Sequence, residues 1–491
     1  AVGRAATAPL AADRFQILHT NDIHGRLEAT TIGSGGAAFQ LGGLATLAGM
    51  VSTFRARAPE RTLLLDAGDA WQGTFASNAN RGQAVTKAMS LMRYDAMALG
   101  NHEFDWGQQV IADRAREAAF PFLAANLRDG RGGPPPWARP YIVKDLGVAR
   151  VGVIGLTNPG TPAINKPQNV AGLAFQSSVD GVRRYLGEVR GLADIVVVLS
   201  HTGVDDDTAL AQALSGVDLI VGGHTHLPLR TPRTVGAVRI YQAGAYTENL
   251  GRIEVTVDPA TKKIRGLTGA DALVAVATGA ATPDPEIERL VAERRADAEK
   301  VTGRVVGRTT IPLEQQSAGE FPLGNLVADA MLEYARAQGW SSDLALHNNS
   351  GIRARLEAGE ISYGRLYQVL PFDNAVVSIE LTGAQLLRIL ERTVRSRAGN
   401  LVIAGGTYAF RMSQPAGSRI AAVTIGGRPL DPARVYRVAT IDYLALGGDD
   451  QPTFREGRNI VYGDLTADVV AAYLGARSPV TPRVEGRITQ R

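Results

Sequence analysis

The sequence predicts an α/β protein of two domains, and three observations carry that expectation. The chain has 491 residues, 45% of them apolar, which exceeds what one hydrophobic core organises and suffices for two. Its first half repeats one pattern five times: a short apolar run rich in β-formers ends, and polar residues follow at once. Helical stretches lie between those runs, so the strands belong to layered sheets buried on both faces.

In chain order, "FQILH" leads to Thr20-Asn21-Asp22-Ile23-His24, and a helix is expected over 41–56. "RTLLLDAG" leads to Asp69. "DAMALG" leads to Asn101-His102-Glu103, with a helix over 108–119. "ADIVVVLS" leads to His201, and "VDLIVGG" to His224-Thr225-His226. Ligands of open α/β sheets collect at the carboxyl ends of strands, and all five polar clusters sit there. Around 276–303 a small-residue and proline breaker, "ATGAATPDPE", precedes a charged helix. The expected organisation is a flexible N-terminal segment 1–12, a first domain 13–275, a linker with a helix 276–303 and a second domain 304–491. The second domain mixes helices over 323–338 and 383–395 with strands over 374–381, 406–412, 420–425 and 436–440.

Composition narrows the partners. The formal charge is only +4, with Lys and Arg spread along the chain. No polybasic tract is present to grip a nucleic acid polymer or an anionic lipid, and a small anion is the more economical ligand. Cysteine is absent, which excludes a disulfide framework and a thiolate metal site. No apolar run approaches the roughly 18 residues of a membrane span. The Ala-rich "AVGRAATAPLAAD" reads as the start of a mature exported chain, placing the protein in the periplasm or outside the cell.

Five of the seven histidines, His24, His102, His201, His224 and His226, fall just after predicted strands. Asp22-x-His24 and His224-x-His226 each place two side chains on one side of an extended segment, aimed at one centre or at two adjacent ones. Asp22, His24, Asp69, Asn101, His201, His224 and His226 make a donor set of nitrogen and oxygen without sulfur. It suits Zn²⁺, Mn²⁺, Co²⁺ or iron rather than Ca²⁺. Seven donors exceed one tetrahedral ion and fit two ions sharing a carboxylate, for which Asp69 is the choice. His19 and His347 read as structural, Asp66 as a supporting acid, and Asp205, Asp206 and Asp207 as a solvated helix start.

The stretches "NDIHG", "GDAWQGT", "GNHEFD", "SHTGVD" and "GGHTH", in this order, resemble the calcineurin-like metallophosphoesterase domain. With "LGNLVADAM", "NNSGIRA", "LPFDN" and "LALGGDD", the chain resembles the 5′-nucleotidase / UDP-sugar hydrolase family from Arg14 onward. That resemblance implies a four-layer αββα domain joined by a helix to a smaller α/β domain that holds the nucleotide, with the active site between them. It implies one metal site of Asp22, His24, Asp69 and His226, a second of Asp69, Asn101, His201 and His224, and a catalytic dyad of His102 and Asp105. The implied reaction is hydrolysis of the 5′-phosphate by in-line attack of a metal-bound water or hydroxide. His102 would stabilise charge on phosphoryl oxygens, and Asp105 would hold its ring and favour its charged form. Glu103 is expected to be structural or to support the ligand residues from behind.

Members of the family clamp the nucleobase between two aromatics, whose positions here are Phe372 and Tyr443, and stacking tolerates any base. Asn374 would read the base edge, Asp449 the ribose hydroxyls and Asn348 the sugar. Arg353 is the natural phosphate fork. The chain departs from its relatives in carrying neither Arg nor Lys over 309–335, in Asn349-Ser350-Gly351 where a glycine run is common, and in Tyr443 where Phe is common. These changes bear on substrate range rather than reaction type. Competing readings are a 2′,3′-cyclic-nucleotide phosphodiesterase or UDP-sugar hydrolase, a thiosulfohydrolase of sulfur oxidation, and a non-catalytic nucleotide-binding protein. The His102–Asp105 pair and the paired aromatics favour nucleotides, and the filled ligand positions favour turnover.

Overall fold

Successive residues of the first strand, Arg14–Thr20, feed two different cores: Phe15 and Ile17 enter one and Leu18 the other. The same alternation separates Leu63 and Leu65 from Leu64, and Val197 and Leu199 from Val196 and Val198. Side chains of a strand alternate between faces, so a sheet covered on both faces demands apolar residues at every position. That is why the runs read as continuous in the sequence.

The computed structural model describes residues 8–32, 38–269, 271–394 and 401–491. Of the N-terminal segment expected to be flexible, residues 1–7 lie outside the described residues. Leu10, within 8–12, is buried, and its N–H donates to the Arg57 carbonyl at 3.1 Å.

The chain divides into two units, Ala1–Asp297 and Ala298–Arg491. In the first, one sheet runs in the order Ile264–Leu267, Asn249–Val257, Arg14–Thr20, Thr62–Asp66, Ala96–Ala98, Phe122–Leu123, with Leu273–Ala275 also pairing Asn249–Val257. The second sheet runs Arg233–Val235, Val238–Gln242, Leu219–Gly222, Ile195–Ser200, Arg150–Leu156, Tyr141–Asp145. Phe15, Ile17, Leu63 and Leu65 of the first sheet share one core with Val151, Val153, Val197 and Leu199 of the second. Helices Leu44–Ala56 and Gln83–Leu91 cover the outer face of the first sheet. Ser178–Leu192 and Val204–Ala213 cover the outer face of the second. The result is four layers, α-β-β-α, as the resemblance implies.

Helix boundaries moved for local reasons. The helix expected over 41–56 starts at Leu44, because Phe39–Gly42 is a strand and Gly42 and Gly43 take φ of 84° and 92°. The next ends at Glu117, where Ala118 turns extended. The charged helix is Pro285–Thr302.

The second unit is also α/β. Its main sheet runs Leu401–Ala404, Leu344–Asn348, Val435–Ile441, Ala375–Thr382, Arg458–Leu465, and a four-stranded sheet contains Gly406–Phe410 and Ile420–Ile425. Helices Pro322–Ala337 and Gly383–Thr393 match expectation within two residues, while Arg395 lies outside the described residues. Gly383–Thr393 opens on a reciprocal cap in which the Thr382 hydroxyl accepts from the Gln385 N–H and the Gln385 side chain accepts from the Thr382 N–H. The strand Arg458–Leu465 and helix Thr466–Arg477 were not anticipated.

Candidate dimetal site

The site is built from strand ends. Arg14–Thr20, Thr62–Asp66 and Ala96–Ala98 are neighbours and parallel in the first sheet, so Asp22, His24, Asp69 and Asn101 emerge on one side. Ile195–Ser200 and Leu219–Gly222 are parallel neighbours in the second, and they deliver His201, His224 and His226. Two clusters result. Asp22, His24 and His226 bring one ligand atom each within 4.8 Å of one another, and so do Asp69, His201 and His224.

The backbone that does this is not extended. Asp22, His24, Asp69, His224 and His226 take φ of 51°, 49°, 56°, 75° and 56°. Left-handed conformations cost non-glycine residues on the order of 1–3 kcal/mol each and concentrate at functional sites. The pleat argument for Asp22-x-His24 is therefore corrected: the two converge through left-handed turns. His224-x-His226 divides between the two clusters, the expected alternative of two adjacent centres. Close packing reinforces the geometry, since a Cβ on Gly100 would lie 2.1 Å from Asp69 Oδ1.

Distances tie the clusters together. Asp69 Oδ2 lies 3.0 Å from His201 Nε2 and 3.9 Å from His24 Nε2. His226 Nε2 is 3.2 Å from Asp22 Oδ1 and 3.1 Å from His24 Nε2. Backbone carbonyls of Gln72 and Ala67 receive the Nδ1–H groups of His24 and His201 at 2.9 and 2.6 Å, which leaves each Nε2 directed into the cluster. Asn101 Oδ1 is buried without a hydrogen-bond partner, while the buried Asp22 Oδ1 and His201 Nε2 face only other members of the clusters, His226 and Asp69. Buried donors of this kind, in a sulfur-free set, fit divalent cations.

Electrostatics point the same way. Burial pushes the His201 imidazole down, but the Asp69 and Asp22 carboxylates outweigh it and hold it up at about 10. Burial opposes ionisation of Asp69, yet His201 and His102 keep it well below the usual carboxylate range. Burial and the His201 charge push His224 down to about 4.

Beside the clusters, the His102 N–H donates to Asp69 Oδ1 at 2.8 Å, and His102 Nδ1 meets Asp105 Oδ2 at 2.8 Å. The His102 and His24 rings lie 5.3 Å apart. Glu103 is buried, and its carboxylate accepts from the N–H groups of Asp69, Ala70 and Gly100 at 2.9, 2.9 and 2.7 Å. It ties two ligand-bearing turns together. Glu103→Gln replaces one acceptor by a donor facing an N–H, so unfolding stability falls by about 1–3 kcal/mol. A lower urea midpoint at unchanged slope checks this.

His19 and His347 are buried, and burial pushes them down to about 3 and about 4, as structural neutral imidazoles. Asp205 and Asp206 are exposed, but Asp207 is fully buried and accepts from the Thr202 hydroxyl at 3.1 Å. The solvated reading fails for Asp207 because the fourth residue of the helix Val204–Ala213 faces inward.

In the second unit, Asp449 gathers two predicted residues, Asn348 and Tyr443, together with Ser350. Its Oδ2 accepts from Asn348 Nδ2 at 2.7 Å and from the Ser350 hydroxyl at 2.6 Å, and its Oδ1 accepts from the Tyr443 hydroxyl at 2.9 Å. The Arg353 guanidinium lies 5.8 Å from the Phe372 ring centroid. Phe372 and Asn374 line a small cavity with His347, Gly351 and Thr466.

Sequence reasoning missed Asn158, whose side chain lies 3.0 Å from His224 Nε2, and Asn165 and Asn169, which bond Asp105. A signal existed: "VGVIGLTNPG" is a sixth apolar run with polar residues at its end. Tyr246, 5.3 Å from the His226 ring and 5.7 Å from the His24 ring, carried no such signal.

A double sheet whose strand ends pool aspartate, histidine and asparagine is the architecture of the calcineurin-like phosphoesterases, and the profile of that family matches residues 15–228. The profile described as 5′-nucleotidase, C-terminal domain, matches residues 301–456. A snake venom 5′-nucleotidase from Naja atra is 30% identical, over 96% of this chain and 98% of its own. A human 5′-nucleotidase is 30% identical, over 96% of this chain and 90% of its own. The crystal structure of a 5′-nucleotidase precursor from Thermus thermophilus superposes with a TM-score of 0.89 at 34% identity, covering 97% and 99% of the two chains. The chain belongs to the 5′-nucleotidase family. A sulfate thiohydrolase from Thermus thermophilus, at 22% identity and a TM-score of 0.82 over 98% and 97% of the two chains, shares the fold.

Proposed function

We propose that this protein hydrolyses the 5′-phosphate of nucleotides at a dimetal centre. The observation that carries the reading is the pair of buried Asp/His clusters with the His102–Asp105 pair beside them. Asp22, His24, Asp69 and His226 would hold one ion and Asp69, Asn101, His201 and His224 the other. Asp69 is the shared carboxylate, since its Oδ2 faces histidines of both sets. Two divalent ions (Zn²⁺, Mn²⁺ or Co²⁺) would supply a nucleophilic water at neutral pH and neutralise phosphoryl oxygens.

The chain's own residues do the rest. With Nδ1 committed to Asp105, His102 uses Nε2 to donate to a phosphoryl or leaving oxygen as charge develops there. Phe372 and Tyr443 stack the base, Asn374 reads its edge, and Arg353 grips phosphate. Asn348 and Asp449 hold the sugar; their mutual bond, with Tyr443 on the same carboxylate, supports one preorganised surface. Among the described residues no helix is long and apolar enough to cross a membrane. Export to the periplasm or beyond is part of the proposal, supported by relatives named as venom enzymes.

The test is phosphate release from AMP, UDP-glucose, 2′,3′-cyclic AMP and the p-nitrophenyl ester of thymidine monophosphate. A coupled phosphomonoesterase reports cleavage of the diester substrates. AMP is hydrolysed with metal present, and His102→Ala lowers kcat by about 10²–10⁴-fold with metal retained. No release from any substrate would overturn the nucleotide reading and turn attention to sulfur esters.

A further inference from the structure

The dyad does not stand alone. Asp105 gives one carboxylate oxygen, Oδ2, to His102. Its other oxygen, Oδ1, accepts from Asn165 Nδ2 at 2.9 Å. The same amide nitrogen lies 3.2 Å from the Asn101 carbonyl. Asn169 Nδ2 donates to the Asp105 carbonyl at 2.7 Å and lies 3.3 Å from Asn165 Oδ1. Asn165 is 4% exposed, so its bonds are shielded from water.

The origin of these residues matters. Asp105 and Asn101 follow a strand of the first sheet, Ala96–Ala98, whereas Asn165 and Asn169 follow a strand of the second, Arg150–Leu156. The segment between them is pinned by a two-way bond of Asn126 to the Thr157 N–H and carbonyl, at 3.0 and 2.8 Å. It also carries Asn158, 3.0 Å from His224 Nε2. One segment of the second sheet thus touches both a cluster histidine and the far side of the dyad.

We infer that Asn165 is a positioning residue for the His102–Asp105 pair, locking the Asp105 carboxylate so that the His102 ring presents one fixed face; this rests on the catalytic reading of His102 above. A primary amide suits the task. It places two N–H donors in one plane, one for the carboxylate and one for the Asn101 carbonyl, while its oxygen accepts from Asn169. An aspartate of the same shape would set a second carboxylate against Asp105 and offer no donor. An alanine would leave Asp105 Oδ1 without its partner and allow the carboxyl group to turn. A displacement of about 1 Å at a reacting group can cost on the order of 10²-fold in rate.

The experiment compares wild type, Asn165→Ala, Asn165→Asp, Asn169→Ala and His102→Ala, together with the double variant Asn165→Ala/His102→Ala. Metal content, thermal midpoint, kcat and KM for AMP are measured for each. Asn165→Ala and Asn165→Asp lower kcat by about 10–100-fold, as supporting residues do, with KM and metal content little changed. In the His102→Ala background, Asn165→Ala costs nothing further, because its effect passes through His102. A role in packing alone would tolerate the isosteric Asn165→Asp, so wild-type kcat in that variant overturns the inference. Additive losses in the double variant overturn it too. Should Asn165→Ala fail to fold, Asn169→Ala carries the test with a smaller loss of kcat, and an unchanged kcat there counts against the inference. Wild-type kcat in His102→Ala would instead sink the catalytic reading itself, and so the two failures are distinguishable.

Discussion

Asp69→Asn lowers kcat for AMP by about 10⁴-fold, the scale on which losing one member of a catalytic unit acts. The carboxylate sits 3.0 Å from His201 Nε2 and 3.9 Å from His24 Nε2, and its other oxygen accepts from the His102 N–H. An asparagine keeps the shape but loses the charge, and its nitrogen cannot ligate. Metal content therefore falls below two ions per chain, and the turn carrying His102 loses its anchor when the amide presents nitrogen to the His102 N–H. Asp66, three residues earlier, provides the contrast. Burial pushes it up to about 8, and it accepts from the Thr20 hydroxyl at 2.6 Å and from the Gly68 N–H at 2.9 Å. Burial thus disfavours its charge, and with both oxygens committed to Thr20 and Gly68, Asp66→Asn affects stability and leaves metal content at two. Paired measurements of metal content and kcat check both; two ions and more than a tenth of the rate in Asp69→Asn would remove it as the shared carboxylate.

Much of this site could be read from the chain, because a buried parallel strand leaves an unmistakable apolar run and its end is where side chains can meet a ligand. Asp22, Asp69, Asn101, His201 and His224 are candidates on that ground. What the runs do not encode is the direction in which each turn leaves its strand. Five cluster residues adopt positive φ, a region in which Asp and His are enriched among non-glycine residues, but nothing in the runs marks which of them will do so. Asn158 closes a sixth run that could have been read, whereas Asn165 and Asn169 escaped for a different reason. They lie in a segment whose two short helical turns, Thr161–Ala163 and Pro167–Asn169, follow no period long enough to read. Their importance arises from contact with Asp105, about 60 positions away. Asp207 shows the remaining limit. Three consecutive acids look alike in sequence, and only the helix phase decides that Asp205 is solvated while Asp207 is buried.

Chelation takes turnover to background and restoring Zn²⁺, Mn²⁺ or Co²⁺ returns it, and the pH dependence of that return has a definite sign. In the metal-free protein His201 is held up at about 10 by Asp69 and Asp22 against the pull of burial, so it carries a proton at neutral pH. A protonated imidazole cannot ligate, and the ion must displace that proton. Metal affinity therefore rises with pH, by up to about tenfold per unit for each proton released. His224, pushed down to about 4, is already neutral and adds no slope above pH 5. The same proton governs stability. A histidine raised from 6.5 to about 10 contributes stability that is fully present below 6.5 and is lost as pH rises through 10. Between pH 6.5 and 8.5 the metal-free protein thus weakens while the loaded protein, whose cation has replaced the proton, does not follow. The gap in thermal midpoint between the two widens with pH, and calorimetric titrations in buffers of different ionisation enthalpy report proton release on binding. A gap that stays flat, or proton uptake, would show that the cation does not replace the His201 proton.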